Sequence, residues 1–267
     1  MEATKTYEEL IKLYGEIQEV RLPSGRTAII RMQNGADDDV ISNSRLAMEG
    51  TNFAHFLTGI IIQASWKTGR LNVEDAMSIP VRDRNALLIS SRVLSISDEL
   101  KFQWTWEGES SPTWYTEDLV QFIWPYGELD YPHKPEDDGY FEGRIPPYPS
   151  FADSGMIELT LENQKSFRMR YYDGNSDKYM INQSQEMTRN SELLARGIEY
   201  KGEDGKWVKI ENFRMFTPKD MFAIRAAVEK LDGEASPIMS IPHPKNPQTV
   251  EKQYLLTLEG FLFPLEM

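Results

Sequence analysis

The 267 residues contain no cysteine, which excludes disulfide frameworks and thiolate metal sites. Histidine is nearly as scarce, with only His55, His133 and His243 present. None of the three stands near another ligand type at metal spacing. His55 falls in an apolar segment that reads as packed helix, and the other two lie beside prolines in loops. Positive charge is also short: 29 Lys and Arg face 42 Asp and Glu, a net charge of −13. That balance repels a phosphate backbone and lacks the basic footprint of a nucleic-acid binder. The longest apolar run, centred on 59–62, is far too short for a bilayer. The opening Met1-Glu2-Ala3-Thr4 has no charged-then-apolar signal region, so the protein is expected to stay where it is made. G-x-G-x-x-G, P-loop and G-x-S-x-G motifs are all missing. The expectation is therefore no cofactor, no metal, no catalytic residue, no membrane, no nucleic acid and no identifiable small-molecule substrate.

What the chain does contain is a pattern written twice. Tyr115, Leu119, Phe122, Ile123, Trp124 and Pro125 are matched by Tyr254, Leu258, Phe261, Leu262, Phe263 and Pro264, each 139 positions later. Arg31, Gly35, Asp38 and Asn43 match Arg170, Gly174, Asp177 and Asn182 at the same offset. Thr51 matches Thr188 at 137, and Met77 with Pro80 matches Met215 with Pro218 at 138. An offset this steady over half a chain predicts two copies of one domain. The expected fold class is α+β, with two tandem homologous modules plus an N-terminal helix. Each module is a small helical body with short strands and a closing β-ribbon. The expected divisions are an N-terminal helix over 1–19, a first module over 20–127, a Pro- and Tyr-rich acidic linker over 128–156, and a second module over 157–267. Paired copies suggest a pseudo-twofold body.

Local signals fill in this plan. Leu10, Ile11, Tyr14 and Ile17 lie at helical spacing over 5–19, with Thr6 as a cap. The segment 27–32 reads as a strand, 37–48 as a helix with an acidic first turn, and 53–63 as an apolar element capped by Thr51. Residues 82–94 read as a helix, and 100–106 with 114–124 as a ribbon. In the second copy, Thr217-Pro218-Lys219-Asp220 starts a helix whose buried face is expected to hold Phe222, Ile224, Ala227, Val228 and Leu231.

Carboxylates are abundant, and Asp37-Asp38-Asp39 is the sharpest cluster, but an acidic first helical turn accounts for it. Arg31 with Asp38, and Arg170 with Asp177, are expected to form a structural ion pair in each copy. Phe122, Pro125, Phe261 and Pro264 are expected to be structural positions of the repeat. Trp104, Trp106 and Trp114 cluster in the first ribbon, where alternation leaves one face outward. With Tyr131, Tyr140 and Phe141 of the linker they form the candidate partner-binding set.

The Leu22-Pro23-Ser24-Gly25 start, the R-x-x-N-G of Arg31 to Gly35, the acidic helix, the Thr217-Pro218-Lys219-Asp220 helix start and the F-aliphatic-aromatic-P endings resemble the baseplate hub and tail-assembly proteins of tailed bacteriophages. The resemblance covers nearly the whole chain, once per copy. Many members of that family carry paired cysteines in the ribbon, and this sequence departs from them: 107–112 and 242–247 hold none. The resemblance implies a non-catalytic virion or assembly protein of a phage tail. Its partners would be other tail or baseplate proteins. Its location would be the host cytoplasm during assembly, with retention in the virion left open. The alternatives are a hydrolase with an Asp or Glu site between the modules and a cellular acidic protein-binding module.

Overall fold

Thr6 accepts a hydrogen bond from Glu9 N at its hydroxyl, and its own N–H donates to the Glu9 carboxylate at 2.7 Å. This capping box starts helix α1 (Tyr7–Tyr14). The computed structural model describes residues 5–123, 156–160, 165–182, 188, 190–232, 237–258 and 261–263. The helix expected over 5–19 is shorter than that, because Gly15 takes φ 78 and the chain continues as a strand. Leu10 is buried with Ile17, Ile29 and Ile62, so α1 docks on its own chain.

The first half continues with β1 (Ile17–Arg21) and β2 (Thr27–Arg31), joined through the turn at Gly25. Helices α2 (Gly35–Ile41), α3 (Ser44–Met48) and α4 (Asn52–Ile60) follow, then β3 (Ile61–Ala64). Two expected elements split here. The helix over 37–48 breaks at Asn43, whose side chain accepts from Arg45 N and Leu46 N to cap a new helix. The apolar run 53–63 turns from helix to strand at Ile61-Ile62, where β-branched residues favour the sheet. Then come α5 (Val73–Met77), α6 (Val81–Ser95), β4 (Glu99–Trp104), β5 (Thr113–Asp118) and the short α7 (Val120–Ile123). The second half holds β6 (Met156–Thr160), β7 (Ser166–Arg170), α8 (Gly174–Asn182), α9 (Ser191–Ala195), β8 (Glu199–Lys201), β9 (Trp207–Lys209), α10 (Pro218–Asp232), β10 (Ile238–His243) and β11 (Asn246–Tyr254). The fold is thus α+β, with antiparallel pairing in sheets ordered β1-β2-β3, β6-β7-β8-β9, β4-β5 and β10-β11.

The opening hairpins of the two halves have one register. Ile17 pairs with Arg31 and Arg21 with Thr27, while Met156 pairs with Arg170 and Thr160 with Ser166. Leu119 O accepts from Phe122 N at 3.0 Å, and Leu258 O accepts from Phe261 N at 3.1 Å, so the repeated L-x-x-F makes the same turn in both places. The closing ribbons differ. Leu119 N donates to Asp98 O, but Leu255 N, rather than Leu258 N, donates to Pro237 O. A 3₁₀ turn over Leu255–Thr257 takes up the extra residues.

The larger apolar core surrounds α6 and draws on both ribbons. Val20, Ile30, Phe56, Leu57, Leu87 and Leu88 pack there with Leu100 and Leu119, and with Met239, Ile241, Leu255, Phe261 and Leu262 from the end of the chain. Phe122 packs against the edge of the same cluster. Phe167, Met169, Leu193, Ile198, Met221, Ile224 and Val228 form a separate, smaller core. On α10, Met221, Ile224 and Val228 face that core. Phe222, expected among them, is 75% exposed, because one residue past Met221 is a turn of ~100° around the helix. Ala227 and Leu231 lie outside the described side chains, as Pro125 and Pro264 lie outside the described residues. No helix among the described residues is long and apolar enough to cross a membrane.

Candidate interaction surfaces

The β4-β5 ribbon has two faces because side chains alternate along a strand. Inward lie Leu100, Phe102 and Trp104, with Tyr115 opposite Phe102 and their rings stacked at 5.6 Å. Outward lie Lys101 and Gln103 opposite Thr116 and Trp114. The three ribbon tryptophans therefore separate. Trp114 is 66% exposed. Trp104 is partly buried against the core, and Trp106 is buried. Trp106 Nε1 donates to Tyr115 Oη at 2.9 Å, and Tyr115 Oη donates to Pro242 O at 2.9 Å. The Trp106 ring meets His243 edge-on at 4.7 Å, and Lys245 Nζ reaches Glu109 Oε1 at 2.7 Å. These contacts clasp the two ribbons tip to tip, so Trp104 and Trp106 serve the fold and only Trp114 is offered outward. Tyr131, Tyr140 and Phe141 lie outside the described residues.

The ion pairs expected from the repeat take other partners. Arg31 binds Asp37, with Nη1 to Oδ2 at 2.8 Å and Nη2 to Oδ1 at 2.9 Å, and Asp38 faces solvent. The reason is helical geometry: Asp37 is the residue whose carboxylate also accepts from Asn34 N at 2.8 Å, turning it back toward the end of β2. Asp177 does not pair with Arg170; its carboxylate binds Arg84 of the first half. Arg170 lies against Gly197.

A different juxtaposition of a basic residue in a hairpin turn with an acid in a first helical turn recurs, and the repeat pattern did not signal it. Lys165 Nζ binds Asp220 Oδ2 at 2.8 Å, joining the second hairpin to the first turn of α10. At the matching place, Arg26 of the first hairpin lies in the field of Asp83, in the first turn of α6. Asp83 is fully enclosed and also accepts from Ser24 N at 3.0 Å. Burial pushes its carboxyl up to about 6, against the pull of the Ser24 hydrogen bond, Arg26 and Arg82. The signal for this juxtaposition was present in Asp83 and Asp220, each an acid in a first helical turn.

Besides the shared core and the ribbon clasp, the halves meet along a seam. Pro80 bridges Asp173, and Val81 N donates to Tyr172 O at 2.8 Å. Asn175 Nδ2 donates to Met77 O at 3.4 Å, and Gly174 lies so near Met77 that a β-carbon would stand 2.9 Å from its Sδ. Beside this seam is an open cleft of about 440 Å³, lined by Phe53, Met77, Arg84, Asp177, Met180 and Ile181. Its Arg84 and Asp177 are bound to each other. Among the described residues, no group of three or more acidic or His side chains is placed to hold a metal ion. The seam is not reciprocal: the counterpart of the Pro80–Asp173 bridge, Pro218 with Asn34, is not made among the described residues. The seam therefore lacks the expected pseudo-twofold.

No protein family, no curated protein and no solved structure matches this chain.

Proposed function

We propose that the protein is a non-catalytic structural or assembly component that works through protein–protein contacts, and that it serves a bacteriophage tail at the baseplate hub. The observation that carries the first part is Trp114: a tryptophan 66% exposed on a ribbon whose tip is clasped by hydrogen bonds. An aromatic side chain held outward on a stiff element loses little entropy on binding and fills a pocket well. Gln103 and Lys101 border it on the same face, giving a polar edge around an aromatic centre. The tail assignment draws on the resemblance of the Leu22-Pro23-Ser24-Gly25 start, the R-x-x-N-G of Arg31 to Gly35 with its acidic helix, the Thr217-Pro218-Lys219-Asp220 helix start and the F-aliphatic-aromatic-P endings. It places the protein in the host cytoplasm while tails are built.

The test is a native-mass pull-down from a lysate expressing neighbouring tail genes, run with the wild type and with Trp114→Ala. The expected result is a defined complex with hub, tube or tape-measure proteins that the variant recovers at least tenfold less well. A wild-type chain that ignores every tail protein would overturn the assignment, and an unbiased hydrolase screen would then address an Asp or Glu site between the halves.

A further inference from the structure

The seam between the halves is one-sided, and each half keeps the unused side of it. In the first half, Met77 is buried at 6% exposure against Gly174; its counterpart in the second half, Met215, is 57% exposed. Phe222 is the counterpart of Arg84 when counted from the shared Met and Pro, and of Asn85 when counted from the buried acids Asp83 and Asp220. In the first half both positions are covered by the rest of the chain, since Arg84 binds Asp177 and Asn85 Oδ1 accepts from Tyr254 Oη at 3.2 Å. In the second half Phe222 is bare.

The receiving side is unused in the first half. Gly174 is needed where it stands, because Met77 leaves no room for a β-carbon. Gly35, 139 positions earlier, has no positive φ and nothing within 4 Å of a β-carbon, so the fold of a single chain does not require glycine there. Asp38 and Asp39 beside it are exposed, and Asp38 is the counterpart of Asp177. The bare side of the second half carries the opposite charge: Arg214 and Lys219, both exposed, flank Met215 and Phe222.

We infer that two copies of this chain associate head to tail, with Met215 and Phe222 of one seated on the Gly35–Asp38 surface of the next in the manner of Met77 on Gly174. Lys219 and Arg214 then meet Asp38 and Asp39 across the contact. Such a contact joins unlike faces, so each added copy leaves one face of each kind open, and the association proceeds to a ring or a filament. This goes beyond the assembly reading by naming a partner, a second copy of the chain, and it does not depend on any tail protein.

The cysteine-free sequence makes the test direct. Gly35→Cys and Met215→Cys are prepared separately, mixed and oxidised, and sedimentation velocity is run on the wild type, Gly35→Leu and Phe222→Glu from 5 to 500 µM (about 0.15 M salt, where charges more than ~8 Å apart are screened). The expected results are a cross-linked dimer at least fivefold more abundant in the mixture than in either cysteine variant alone, and a wild-type mass that rises with concentration. Gly35→Leu and Phe222→Glu should each stay monomeric with an unchanged Tm, both sites being open in the single chain. An equimolar mixture of the two should restore a dimer, since each retains the face the other lacks. A wild type that stays monomeric throughout, or variants that fail to complement, would overturn the proposal. The tail-protein pull-down is read separately, so either result can fail without the other.

Discussion

Gly59 lies against the Asp37 carboxylate so closely that a β-carbon there would stand 2.8 Å from Oδ1 and 3.5 Å from Arg31 Nη2. Gly197 holds the matching place in the second half, with a β-carbon position 3.4 Å from Arg170 Nη2 and φ +63. In both halves a glycine, in the last turn of α4 or just after α9, lets the chain pass over the arginine that ends the second strand. Gly59→Ala should cost about 1–3 kcal/mol by overpacking. Gly197→Ala should cost about 1 kcal/mol from its left-handed backbone. Gly35→Ala should leave stability within about 0.5 kcal/mol. Urea denaturation of the three variants ranks them, and equal effects at Gly59 and Gly35 would show that the close approach does not matter.

Arg31 and Asp37 are both largely buried and joined by two hydrogen bonds. Removing one partner leaves the other charge enclosed, so Arg31→Ala should cost about 3–5 kcal/mol. Asp37→Ala removes both the ion pair and the cap on Asn34 N, and should cost at least as much. Asp38→Ala touches neither and should change stability by less than about 0.5 kcal/mol. A large loss at Asp38 would restore the pairing expected from the repeat.

The Asp83 carboxyl is raised from 3.8 to about 6 by burial. Between those values the folded chain holds a proton that the unfolded chain releases. Its contribution to stability is therefore fully present below the unfolded value and is lost as pH rises through about 6. The whole swing is on the order of 3 kcal/mol for this group. Asp83→Asn keeps an acceptor for Ser24 N but cannot titrate. As pH falls from 7.5 to 4.5, the wild type should gain stability relative to Asp83→Asn, read as the difference in thermal midpoint at each pH. A wild type that loses ground over that interval would mark Asp83 as a carboxylate held ionised by Arg26 and Arg82.

The legible part of this fold was its spacing. Both hairpins keep the offset of 139 to the residue, because a hairpin's register is fixed by its turn and strand lengths. Yet the first strand of the first hairpin was hidden: helical spacing of Leu10, Ile11, Tyr14 and Ile17 ran the expected helix to 19, across the start of β1. The L-x-x-F repeat was visible but not its shape: a single strand was expected over 114–124, whereas the ribbon ends at Asp118 and the chain turns into α7. Which charges pair was not legible, because Asp37 and Asp38 are neighbours in sequence and only the capping geometry at Asn34 turns one of them inward. Nor was the exposure of Phe222. Its position on α10 matches Arg84 or Asn85 of α6, but α6 is enclosed by both ribbons and the second half, whose Asp177 stands 93 residues from Arg84 and whose Tyr254 stands 169 from Asn85. Trp106 and Trp114 looked alike in the sequence, and what separates them is Pro242, 127 residues beyond Tyr115.

That separation gives the last prediction. Trp106 is buried, its indole N–H is bound to Tyr115, and its ring packs on His243, so Trp106→Ala opens a cavity at the clasp between ribbons and takes one of two hydrogen bonds from the Tyr115 hydroxyl, which still donates to Pro242 O. Its cost should be about 3–5 kcal/mol, with hydrogen exchange quickening in both ribbons because each holds one side of the clasp. Trp114→Ala removes a ring that touches mostly water, and should change stability by less than about 0.5 kcal/mol while shedding an indole that acrylamide quenches efficiently. The two variants thus part stability from binding on one ribbon. A protein that uses this face for contact should lose its partner at Trp114 with its fold intact. If Trp114→Ala instead unfolds as readily as Trp106→Ala, the outward face is structural and the ribbon offers nothing to bind.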